Sequence, residues 1–157
     1  MIIHFICRGN AHRSLMAEAY LKSLGLSNVS VMSSGSVADK YRDENEPRIP
    51  RVKAILDNHG IAGFAKTRPD QLTQERLDKA DTTICMNQIV ADECSRTFTM
   101  PRNTQVWDVD DTNEGRNILQ PGDDPYKYTE EIFGLIKWRI DELVRRLQLT
   151  TPPSIEP

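Results

Sequence analysis

Cys7 is followed six positions later by Arg13, in the run Cys7-Arg8-Gly9-Asn10-Ala11-His12-Arg13-Ser14. A thiolate is a strong nucleophile, and its ionisation is favoured near a helix N-terminus or beside cationic side chains. Arginine adds a planar fork that fits two oxygens of a phosphate-like group. Gly9 and Asn10 tolerate positive φ, so the loop can curl until several backbone N–H groups aim at one point and form an anion nest. Taken alone, Cys-x5-Arg arises often by chance, and a cysteine ending an apolar strand is commonly just a small core residue. What sets this run apart is its place between a strand and a helix start, with Gly-Asn inside it and Ser14 directly after.

The elements around the run follow from periodicity. Ile2-Ile3-His4-Phe5-Ile6 is short, apolar and β-prone, as a strand covered on both faces would be. A helix follows with Ser14 as N-cap, Ala17, Tyr20, Leu21 and Leu24 on one face, and Gly25 as its stop. Val29–Met32 reads as a second strand, and the polar stretch from Ser33 to Pro50 as a surface loop. Val52, Ile55, Leu56 and His59 then mark a helix closed by Gly60. Thr73–Lys79 is a short helix, Thr82–Met86 a third strand, Gln88–Cys94 another short helix and Gln105–Val109 a fourth strand. A polar stretch from Asp110 to Lys127 precedes the longest amphipathic helix, marked by Ile132, Leu135, Ile136, Ile140, Leu143 and Leu147.

This alternation predicts an α/β fold: a four-stranded parallel sheet with helices on both faces, right-handed crossovers, and a phosphate-binding loop after the first strand. Such sheets carry their chemistry at the carboxyl ends of the strands, where Cys7 stands. Residues 1–148 are read as one domain and 149–157, rich in proline, as a disordered tail.

Composition narrows the function further. The 157 residues hold 20 Lys plus Arg against 23 Asp plus Glu, a net charge of −3, which argues against nucleic acid as a partner. No apolar run reaches the roughly 20 residues of a membrane span, so no membrane insertion is expected. The apolar start lacks the basic segment and cleavage site of a signal peptide. Three widely spaced cysteines make neither a disulfide framework nor a zinc pair, which places the chain in the cytoplasm with reduced thiols.

With these residues in hand, the chain resembles the low-molecular-weight protein tyrosine phosphatases, whose usual loop is Cys-x-Gly-Asn-x-Cys-Arg-Ser-Pro-Met-Ala-Glu. Here Cys7 to Glu18 matches at most positions, and Ser33-Ser34-Gly35, Asn58-His59-Gly60-Ile61, Cys85-Met86 and Asp124-Pro125-Tyr126 follow in the same order. The resemblance implies that Cys7 attacks phosphorus and forms a cysteinyl-phosphate intermediate. It implies that the loop Arg8, Gly9, Asn10, Ala11, His12 and Arg13 binds the phosphate oxygens, with Arg13 stabilising charge at the transition state and no metal or cofactor required. Asn10 would hold the curl of the loop and Ser14 would bond the cysteine sulfur. Asp124 would be the general acid, then the base towards water; Asp111 and Asp123 compete for that role. Pro125 disfavours an α conformation at Asp124, consistent with an extended approach to the pocket.

Tyr126 would form one wall of a deep pocket suited to phosphotyrosine, with Tyr41 or Lys40 as the opposite wall. The implied partner is a tyrosine-phosphorylated protein. Two departures stand out. His12 replaces the second loop cysteine, removing a protective disulfide, and either adds a titrating charge beside Cys7 or is an ordinary surface histidine. Leu15 replaces the customary proline.

Rival readings share the loop. A thiol-coupled arsenate reductase of the same fold would need two further cysteines, for which Cys85 and Cys94 supply the count, although a cysteine in an apolar strand reads more simply as packing. A cysteine phosphocarrier would need neither the acid nor the aromatic pocket, and Asp124-Pro125-Tyr126 argues against it. A phosphate-binding module without catalysis would have no reason to keep Cys7, Arg13, Ser14 and Asp124 together.

Overall fold

Side-chain alternation in the first strand sets the layering of the molecule. In β1 (Ile2–Cys7), Ile3, Phe5 and Cys7 enter one buried cluster and Ile6 enters another, so the strand is covered on both faces. The computed structural model describes residues 1–41 and 46–149. β1 pairs in parallel with β2 (Ser30–Gly35) on one side and β3 (Thr82–Cys85) on the other. β4 (Thr104–Val106) pairs in parallel with β3, giving the order β2-β1-β3-β4. Helices α1 (Arg13–Ser23), α2 (Arg48–Asn58) and α5 (Pro125–Arg146) contribute to the larger cluster, with Met16, Leu56, Phe133 and Ile136 buried in it. Helices α3 (Gln74–Lys79) and α4 (Gln88–Ser95) cover the opposite face, where Leu77, Val90 and Cys94 pack on Ile6 and Cys85. The expected four-stranded parallel sheet with helices on both faces is therefore the observed fold.

Several boundaries differ from expectation, each for a local reason. α1 starts at Arg13 with His12 at the N-cap position, so Ser14 is inside the first turn and its hydroxyl is used elsewhere. β2 continues beyond Met32 to Gly35 because its register with β1 runs on as far as Cys7. The stretch expected as loop contains a 3-10 helix at Ala38–Tyr41 and the start of α2 at Arg48. Its prolines are compatible with that start: Pro47 is the N-cap and Pro50 falls in the first turn, where a missing N–H costs nothing. β4 spans only Thr104–Val106, although the N–H groups of Trp107 and Val109 still donate to Cys85 O and Met86 O. α5 takes in Pro125, Tyr126 and Lys127, because Asp124 caps it and Pro125 fits its first position. The tail from Thr150 lies outside the described residues. Among the described residues no helix is long and apolar enough to cross a membrane.

Candidate active site

The loop between β1 and α1 is shaped by residues that sequence spacing alone does not connect. Asn10 adopts φ 51°, whereas Gly9 does not use the left-handed region. Gly9 is closely covered instead: a Cβ there would lie 3.0 Å from the Tyr41 ring, which would have to give way by a few tenths of an ångström. Asn10 is fixed by its side chain: Nδ2 donates to Ser14 Oγ (2.7 Å) and Ser33 Oγ (2.8 Å), and Oδ1 accepts from the Asp70 N–H (2.8 Å). Ser33 in turn donates to Glu18, a buried carboxylate that Lys22 and Lys66 neutralise. A buried charge is tolerable only when paired in this way.

Cys7 sits inside that curl, 1% exposed. Its sulfur accepts from the Asn10 N–H at 3.2 Å and lies 3.0 Å from Ser14 Oγ. Among the described residues, the backbone N–H groups of Arg8, Gly9, Ala11, His12 and Arg13 make no hydrogen bond within the protein. Unpartnered N–H groups are rare away from water, and a run of them on one loop beside a helix N-terminus is an anion nest. The sulfur and these donors therefore belong to one loop.

Arg13 is fully buried. Nη1 donates to Val109 O (2.9 Å) and lies 3.0 Å from Glu114 Oε2. Among the described residues Nη2 makes only longer contacts, 3.4 Å to Glu114 Oε1 and 3.5 Å to Asp111 Oδ2, and Nε has no partner. Nε and Nη2 are thus the edge of the fork that an oxyanion would use.

His12 is not the surface histidine that one of its two sequence readings allowed. It is 1% exposed, with Nδ1 2.6 Å from Asp111 Oδ1 and Nε2 3.3 Å from Thr129 Oγ1. Burial alone would raise the Asp111 carboxyl, but His12, Arg13 and Arg48 outweigh it and hold the group far below the usual carboxylate range. A carboxyl so placed stays ionised and cannot donate a proton near neutrality, so Asp111 drops out as a rival general acid. Asp123 accepts from the Gln120 N–H at 2.7 Å. Asp124 is the exposed N-cap of α5, with φ −86° and ψ 108° as expected of a residue before proline, and its Oδ1 accepts from the Tyr126 N–H at 2.9 Å. Because Thr129, one turn further on, meets His12, the helix start that carries Asp124 and Tyr126 abuts the loop.

The rim combines aromatic and basic groups. Tyr41 lies against Gly9 with the Arg48 guanidinium 5.5 Å from its ring centroid, and Tyr126 is 47% exposed. Lys40 is exposed in the same 3-10 helix as Tyr41. Arg8, at the second loop position, forms a two-point pair with Glu93, which also accepts from Ser36 Oγ at 2.7 Å. Glu114, Thr129 and Asp70 meet the loop without having been singled out from the sequence, because each reaches it only through the fold, and Ser33 was noted only within the run Ser33-Ser34-Gly35.

Cys85 and Cys94 belong to the cluster on the other face of the sheet from Cys7. The neighbouring Cys85 and burial push the Cys94 thiol well up, which makes it unreactive. Among the described residues no group of three or more His, Cys, Asp or Glu is placed to hold a metal ion.

A parallel sheet whose first crossover wraps a thiol in free N–H groups, backed by a buried arginine, defines a cysteine-dependent phosphate-handling enzyme. A family model, Low molecular weight phosphotyrosine protein phosphatase, matches residues 2–152, and the chain belongs to that family. It is a phosphatase of the low-molecular-weight class. The protein-arginine-phosphatase of Bacillus subtilis (strain 168) is 32% identical over 160 residues, covering 94% of each chain. The glutaredoxin arsenate reductase of a Synechocystis species is 22% identical, over 92% of this chain and 97% of that one. Among solved structures, an arginine phosphatase from Geobacillus stearothermophilus superposes with a TM-score of 0.71 at 28% identity, covering 94% of this chain and 92% of that one.

Proposed function

We propose that this enzyme is a cytoplasmic protein phosphatase that hydrolyses phosphotyrosine, and small aryl phosphates, in two steps. The observation that carries the proposal is the Cys7 sulfur held by Asn10 and Ser14 within a loop of unpartnered N–H groups. In the first step Cys7 Sγ attacks phosphorus and the bond to the phenolic oxygen breaks. Asp124 gives its proton to the departing oxygen, leaving cysteinyl phosphate and the free phenol. In the second, Asp124 takes a proton from water, the water oxygen bonds to phosphorus, and the S–P bond breaks to release phosphate and the thiolate. The N–H groups of Arg8, Gly9, Ala11, His12 and Arg13 and the Nε/Nη2 edge of Arg13 hold the three equatorial oxygens throughout. Ser14 stabilises the thiolate as leaving group. Tyr41, packed on Gly9, and Tyr126 are the walls that admit a flat ring deep enough to bring its phosphate to the loop. The three free, buried cysteines suit a reducing compartment.

Phosphoarginine is the second reading, favoured by the 32% identical Bacillus relative, which is a protein-arginine-phosphatase. The same two steps apply with a guanidine nitrogen as leaving group. Arsenate reduction by a three-cysteine relay is disfavoured, because Cys85 and Cys94 pack on the opposite sheet face from Cys7.

The test is hydrolysis of p-nitrophenyl phosphate with EDTA from about pH 5 to 8, for wild type and Cys7→Ser. Turnover that vanishes in Cys7→Ser is expected, and turnover that survives it would refute the cysteine route. Comparison of kcat/KM on a phosphotyrosine peptide and on phosphoarginine then decides the substrate. A preference for phosphoarginine would overturn the tyrosine assignment.

A further inference from the structure

His12 stands where the family pattern carries a cysteine, and its two ring nitrogens reach two different elements. Nδ1 faces Asp111 Oδ1, which also accepts from the Thr112 N–H at 2.8 Å. An ionised carboxylate only accepts, so Nδ1 must carry a proton. Nε2 faces Thr129 Oγ1, whose own hydroxyl proton is committed to Pro125 O at 2.8 Å. The threonine oxygen therefore accepts, and Nε2 must carry a proton as well. Only the imidazolium form satisfies both contacts, and its partner Asp111 supplies the charge that a buried cation needs.

We propose that His12 is held as an imidazolium that positions the start of α5, with Asp124 and Tyr126, against the phosphate-binding loop. The positioning role rests on Asp124 being the general acid as proposed above. The charge also adds to the positive field at the loop, one residue from Arg13. Its partner Asp111 also meets Arg13 of the loop and feels Arg48 and Arg51 of α2, Glu114 pairs with Arg13, and Asp124, Tyr126 and Tyr128 lie at the start of α5, ahead of Thr129. The loss of one proton from His12 would break one of its two contacts and loosen the helix start while leaving the cysteine loop intact.

Two measurements test this. In the histidine side-chain ¹H–¹⁵N spectrum of labelled protein near neutral pH, assigned with His12→Gln, both His12 ring nitrogens are expected to be protonated. A neutral ring with one protonated nitrogen would overturn the proposal. In the second, Thr129→Val removes the accepting oxygen at nearly constant volume. It should lower kcat/KM for phenyl phosphate about tenfold and for p-nitrophenyl phosphate only about twofold, because only the poorer leaving group depends on the acid. Thr129→Ser should restore both substrates. Equal slowing of the two substrates by Thr129→Val, or no slowing, would overturn the positioning role. Asp124→Ala is run alongside: if it lacks leaving-group dependence, the acid assignment fails and the positioning role falls with it. Nitrogen protonation then decides the charge alone.

Discussion

Gly35→Ala adds one methyl group where the structure has no room for it. Gly35 ends β2 opposite Cys7, and its backbone is fixed on both sides, its N–H donating to Asp70 O and its carbonyl accepting from the Leu72 N–H. A Cβ at this position would lie 2.5 Å from Arg8 O, 2.8 Å from Asn10 N and 2.8 Å from Gly9 C. All three are backbone atoms of the phosphate-binding loop, so no rotamer change relieves the contact. The loop must retreat by roughly 1 Å to reach ordinary van der Waals distance. Overpacking of this kind costs about 1–3 kcal/mol. At this chain length that lowers Tm by about 3–10 °C. Misplacing reacting groups by about 1 Å lowers kcat/KM about 10²-fold. The assay pairs thermal unfolding with p-nitrophenyl phosphate kinetics, using Gly134→Ala as control. Gly134 lies in α5 with nothing among the described residues within 4 Å of its added Cβ. That change should leave activity intact and stabilise the helix by about 0.5–1 kcal/mol. A Gly35→Ala enzyme with wild-type kcat/KM and unaltered Tm would refute the inference that Gly35 sets the loop's position.

Asp124→Ala should slow phenyl phosphate hydrolysis by about 10²-fold or more and affect p-nitrophenyl phosphate much less; equal slowing would show that Asp124 is not the acid. His4 is buried in β1, and burial, with Arg76 and Lys66 nearby, lowers its pKa from 6.5 to about 3. The unfolded chain therefore binds a proton there that the folded one refuses. Stability is full above pH 6.5 and falls as pH drops towards 3, with a slope approaching about 1.4 kcal/mol per unit. Denaturant titrations across this range should show that slope reduced by one proton in His4→Gln; an unchanged slope would refute it. Cys94→Ala should keep full p-nitrophenyl phosphate turnover and lose about 1 kcal/mol to the small cavity left behind, whereas lost turnover would place that cysteine in the chemistry.

The loop was legible in the sequence because its determinants are consecutive. Cys7, Asn10, Arg13 and Ser14 lie within one crossover, and a left-handed turn, a helix start and an anion nest are local properties of such a run. The parallel sheet was legible for a similar reason, since apolar strands and amphipathic helices alternate along the chain. The backbone at Asp124 was legible through Pro125, which fixes both its extended conformation and the start of α5. The errors at element ends came from tertiary hydrogen bonds. Ser14 looked like a cap but bonds Cys7 and Asn10 instead, and β2 ran on because β1 offered it a partner as far as Cys7.

What the tertiary structure alone decided is which polar groups neutralise one another. His12 meets Asp111, 99 positions away, and Thr129, 117 away. No local pattern distinguishes that buried, doubly partnered histidine from a solvated surface one. Strand alternation put Cys85 behind the sheet and α4 packs Cys94 there, so a count of three cysteines carried no information about a relay. Local sequence sets backbone curl and element type through short-range sterics. Charge pairing and access depend on which distant side chains the packed core brings within a few ångströms, and that is settled only when the whole chain has folded.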